Sequence, residues 1–154
     1  MRPLPDIIQV GETAFSRIDS PAGVSCWSFQ GTDTTVSLVI EPSDTPSSEA
    51  INIAADVVDG FEYFTHAAIQ FLCEQLRAPE YGLSDAELEL LGGQRPPFES
   101  PEAVIWADGT WMLRFAGSSL ALADEFGIGV NFIGNTPQSV ETLSGSEPIA
   151  DALP

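Results

Sequence analysis

The amino-acid sequence predicts an α+β domain in which an antiparallel sheet packs against one long helix and one short helix, in the order βββ-α-α-ββββ. Three observations predict it. Short β-rich runs open the chain, one long stretch with helical periodicity fills its middle, and alternating runs separated by turns return in its second half. Strands grouped at both ends of a helical segment, rather than alternating with helices, are the α+β pattern. A chain of 154 residues has the size of one domain. At that length about 70% of the unfolded surface can be buried. We expect one domain over 1–154, with 1–10 and 144–154 poorly packed.

The first strands are expected over Ala14–Asp19, Val24–Gln30 and Thr34–Ile40, separated by the turn sequences Ser20-Pro21-Ala22-Gly23 and Gly31-Thr32-Asp33. Val36, Leu38 and Ile40 alternate with Thr35 and Ser37, as in a half-buried antiparallel strand. The Pro/Ser-rich segment Glu41–Ser48 leads into a helix expected over about 46–77, with Thr45 as cap and Pro46 in the first helical position. Ala54, Val57, Phe61, Phe64, Ala68, Phe71 and Leu72 recur at helical spacing and form its buried stripe. Gly60 in the middle costs about 1 kcal/mol relative to alanine and suggests a kink or a close packing contact. Ser84-Asp85-Ala86-Glu87 is a capping box that starts the short helix, and Gly92-Gly93 ends it.

Arg95–Pro101, with three prolines, reads as a loop. Asp108-Gly109 is a hairpin dipeptide between strands at Ala103–Ala107 and Thr110–Phe115. Gly127–Ile133 is a further strand, Gly134-Asn135 a turn, and Ser139–Leu143 a last strand or short helix.

The charge balance narrows the function. Twenty-three acidic residues face five arginines and no lysine, for a formal charge of −18. Such a charge repels nucleic acid and anionic membranes, which are expected not to be partners, and attracts a basic protein surface. Residues 1–77 hold 11 acids and 3 arginines (net −8) and residues 78–154 hold 12 acids and 2 arginines (net −10), so the carboxylates decorate the whole domain. Met1–Asp6 has no apolar core of a signal peptide, and no run approaches a membrane span of about 18 apolar residues. Cys26 and Cys73 lie in apolar runs and read as buried free thiols. A cytoplasmic protein fits these features.

No catalytic constellation is visible. The single histidine, His66, falls inside the long helix, and no GxSxG is present. Neither clustered His/Cys ligands nor a DxDxDG loop suggests zinc or calcium, and Gly127-Ile128-Gly129 lies in a strand rather than a phosphate cradle. The expectation is a non-enzyme without catalytic residues, metal or cofactor.

The second half resembles bacterial immunity proteins of polymorphic-toxin or secretion-system effectors. The residues are Ala103-Val104-Ile105-Trp106-Ala107-Asp108-Gly109-Thr110-Trp111 and Leu113-Arg114-Phe115, then Ala123–Phe132 and Val140-Glu141-Thr142-Leu143, within a stretch of about 40 residues. The resemblance implies a small α+β protein that neutralises a cognate toxin, with no catalytic residues to carry over. By charge, that toxin has a basic active site. Two rival expectations are a non-catalytic adaptor or chaperone-like domain and a small enzyme of another class.

For a partner-binding surface, Asp56, Asp59 and Glu62 stack along one side of the long helix. Asp124 and Glu125 could extend that patch. The hairpin carrying Trp106, Trp111 and Arg114 is the other candidate, because an exposed tryptophan is a frequent hot spot.

Overall fold

Two four-stranded meanders join side by side into one eight-stranded sheet, with the helices in the connection between them. The computed structural model describes residues 4–31, 34–93, 96–118, 120 and 127–142. The first meander comprises β1 (Ile7–Val10), β2 (Thr13–Ile18), β3 (Ser25–Gln30) and β4 (Thr35–Ile40). The second comprises β5 (Phe98–Trp106), β6 (Trp111–Ser118), β7 (Ile128–Ile133) and β8 (Thr136–Thr142). Every neighbouring pair is antiparallel except β4 and β5, which run parallel with Leu38 opposite Ile105. A parallel pair needs a long crossover, and α1 (Ser48–Asp59), α2 (Phe61–Gln75), a 3-10 turn (Pro79–Tyr81) and α3 (Asp85–Leu91) supply it.

Alternation decides which side of the sheet is buried. Trp27, Val36, Leu38, Ile105, Trp111, Leu113, Phe115, Val130 and Phe132 all point to one face and are at most 1% exposed. The helices cover that face: α1 lies against β1, β4 and β5, and α2 against β6, β7 and β8. Val57, Phe61, Phe64 and Ala68 are buried in the same core as expected, and Phe71 is half-buried against it. Phe64 stands edge-on to Trp111 and Phe132, with ring centroids 5.0 and 5.9 Å away. Trp111 and Phe132 stack on each other at 4.2 Å. The buried indoles keep their N–H groups satisfied: Trp27 Nε1 donates to the Pro5 carbonyl and Trp111 Nε1 to that of Gly134.

Several sequence expectations need correction. The single long helix is divided at Gly60, where a Cβ would sit 3.1 Å from the Phe64 ring and 3.3 Å from the Asp56 carbonyl. The first helix begins later than expected, because Ser47 rather than Thr45 caps it by accepting from the Ala50 N–H. The capping box of Ser84 and Glu87 is present as read. Within segment 1–10, β1 pairs with β2 and Leu4 packs on the core. The proline-rich loop ends at Phe98 instead of Pro101, and Thr136–Thr142 is a strand. The sheet is thus mostly, not wholly, antiparallel, with four strands before the helices instead of three. Residues 144–154 lie outside the described residues.

Candidate binding face of the sheet

The second face of the sheet carries no described helix, and its side chains form three rows that follow the strand register. The middle row runs Ser16, Ser28, Ser37, Val104, Met112, Asn131 and Ser139 across β2 to β8. On one side of it lies an apolar row, Ile18, Cys26, Val39 and Trp106. On the other lies a charged row, Glu102, Arg114, Gly129 and Glu141.

Local contacts hold these side chains in place. The Ser37 hydroxyl donates to that of Ser28 at 3.1 Å. Asn131 donates to Ser139 and Glu141, both at 3.2 Å, and Arg114 is paired with Glu102. Met112 covers Gly129, where an added Cβ would come within 2.7 Å of its sulfur. Cross-strand pairs of this kind order a face without closing it to solvent.

The apolar row has acidic ends. Ile18 is 46% exposed and borders a surface depression shared with Asp6, Arg17 and Asp19. Trp106, half-buried, borders another with Val39, Glu41, Ala107, Asp108 and Thr110. Asp108 Oδ1 accepts from the Thr110 hydroxyl at 2.6 Å and from the Thr110 N–H at 3.0 Å. The hydroxyl contact first, and then the backbone one, holds this carboxyl below the usual aspartate range. Ile18, Val39 and Trp106 give the row its accessible apolar surface, whereas Cys26 between them is buried; apolar surface rimmed by polar groups marks interaction sites.

The expected contact residues fall in different places. Trp106 and Arg114 lie on this open face, whereas Trp111 is 1% exposed in the core and offers no surface to a partner. Strand alternation separates the two tryptophans, a distinction their shared hairpin concealed. Asp56, Asp59 and Glu62 are exposed, but they lie on two helices: Asp56 and Asp59 on α1, and Glu62 on α2. Asp124 and Glu125 lie outside the described residues. Glu41, Asp19 and Asp6 were not singled out from sequence, because only the pairing of β2 to β5 brings them to the ends of one row.

His66 is exposed on α2, and no hydroxyl or carboxylate is hydrogen-bonded to it among the described residues. Burial pushes the Cys26 and Cys73 thiols up, against a hydrogen bond from Ser20 at the first and the Arg77 charge at the second. Among the described residues no three His, Cys, Asp or Glu side chains gather where they could hold a metal ion. No described helix is long and apolar enough to cross a membrane. Comparisons with protein-family models, curated proteins and solved structures found no match to this chain.

Proposed function

We propose that this chain is a non-catalytic protein-binding domain, and in the finer reading an immunity-type inhibitor whose open sheet face covers the basic active site of a cognate toxin. The observation that carries the reading is the apolar row from Ile18 to Trp106 with carboxylates at both ends, on a chain of formal charge −18. The apolar row supplies area to remove from water, and the carboxylates steer a basic surface onto it and fix its register. An ordered strand surface loses little entropy on docking, which favours tight association.

Co-expression with candidate toxins drawn from the genes that flank this one tests the proposal. The chain is expected to restore growth and to co-purify with the toxin at one to one. Trp106→Ala is expected to weaken that complex by about 30-fold, the cost of truncating a central aromatic anchor of about 2 kcal/mol. A wild-type chain that neither binds nor protects sinks the inhibitor reading, and full binding by Trp106→Ala moves the interface off this face.

A further inference from the structure

The depression beside Trp106 has the composition of a receptor for one cationic side chain. Its lining is Val39, Glu41, Trp106, Ala107, Asp108 and Thr110. Its volume of about 270 Å³ lies below the range of about 300–1,000 Å³ usual for small-molecule sites. It has room for one protruding side chain. The lining combines the apolar Val39, Trp106 and Ala107 with two acidic residues, Glu41 and Asp108. None of the described arginines lines it.

Two further details point outward. Thr110 bonds to Oδ1 of Asp108 through both its hydroxyl and its N–H, which fixes the carboxylate at the edge of the depression. Trp27 and Trp111 bury their indoles in the core, whereas the ring of Trp106 stands at the solvent boundary. A flat guanidinium stacks on an indole and donates to carboxylates with several N–H groups at once, whereas an ammonium does neither as well.

We propose that this depression receives an arginine of the bound protein, its stem against Val39 and Trp106 and its guanidinium between Glu41 and Asp108. This rests on the open-face reading above and specifies the anchor within it.

The test uses the peptide acetyl-Gly-Arg-Gly-amide and its uncharged citrulline analogue as probes, with the three tryptophan indole N–H signals followed by NMR. Trp106→Phe identifies the Trp106 signal by its loss. The arginine peptide is expected to shift that signal saturably while the Trp27 and Trp111 signals stay in place, and the citrulline peptide to leave it unmoved. The double variant Glu41→Gln/Asp108→Asn is expected to bind the arginine peptide at least about threefold more weakly. Asparagine preserves the turn at 108, and unchanged Trp27 and Trp111 signals verify that this variant is folded. The proposal is overturned if the arginine peptide produces no saturable shift, if the citrulline peptide binds equally, or if the double variant binds as tightly as wild type. Failure here with intact, Trp106-dependent toxin binding removes the arginine anchor alone. Failure of the wild-type chain to bind the toxin, with the peptide titration as expected, removes the open-face reading instead.

Discussion

Phe64→Ala probes the junction on which the second meander depends. The ring is 5% exposed, stands edge-on to Trp111 and Phe132, and sits on α2 directly above β6 and β7. Phenylalanine-to-alanine truncations in a core cost about 3–5 kcal/mol, from lost transfer energy plus the cavity left behind. The two edge-to-face contacts add to the area term, so about 4 kcal/mol or more is expected here. A domain of ordinary stability, about 5–15 kcal/mol, loses a large share of it. With a urea m-value of about 2 kcal/mol/M, the midpoint falls by about 2 M. The melting temperature falls by about 8–16 °C at about 2–4 °C per kcal/mol. Tyr63→Ala is the control: Tyr63 is 66% exposed and touches the same Phe64 ring from outside. It is expected to cost no more than about 1 kcal/mol. A midpoint for Phe64→Ala within about 0.5 M of wild type, at unchanged m, would refute the placement of α2 on β6 and β7.

Gly127→Ala should destabilise by at least about 3 kcal/mol in the same urea titration. Its φ is +80° and a Cβ would lie 2.0 Å from the Phe115 carbonyl oxygen, a backbone atom that cannot swing aside. Gly134→Ala, at φ +59° with open space around it, should cost only the about 1–2 kcal/mol of left-handed backbone; equal losses at both positions would remove the clash argument. Asp108 should titrate below the ordinary aspartate range, because Thr110 bonds to its charged form. A depressed folded pKa gives a contribution present above the unfolded pKa and lost as pH falls through the folded one. The Thr110 amide signal should therefore change only in that acid range, and a change at or above the ordinary aspartate value would contradict the turn geometry. Cys26, which is buried, should react with a thiol reagent at neutral pH far more slowly than a free cysteine, and half-buried Cys73 should react faster than Cys26, although partial burial raises its thiol too. Both should label fully in denaturant, and rapid native labelling of Cys26 would contradict its burial.

Much of the architecture was legible because local chemistry and periodicity announce it. The capping box at Ser84 and the Asp108-Gly109 turn place α3 and the β5–β6 hairpin with short-range signals alone. The buried stripe through Val57, Phe61, Phe64 and Ala68 follows from helical spacing, because any helix covering a sheet must bury one such face. Strand β1 went unread because Ile7–Val10 is a four-residue edge strand, with too few alternations to stand out. The helix start moved from Thr45 to Ser47 because both are capping types, and tertiary packing around the linker chooses between them. Ser25 is part of that packing: its hydroxyl donates to the Asp44 carbonyl and accepts from the Asp44 N–H.

By itself, then, the sequence determined the α+β class, the acidic balance and the identity of most core side chains, since composition and period act within a few residues of each other. Only the tertiary structure decided the parallel seam between β4 and β5, which pairs Leu38 with Ile105 across the entire helical connection. That seam lines up Ile18, Cys26, Val39 and Trp106 and brings Glu41 and Asp108 to one depression. It also leaves Trp106 at the surface while Trp111, five residues on, closes the core. No local pattern encodes such a juxtaposition, because strand register between distant segments is chosen by how the whole buried face packs under the helices.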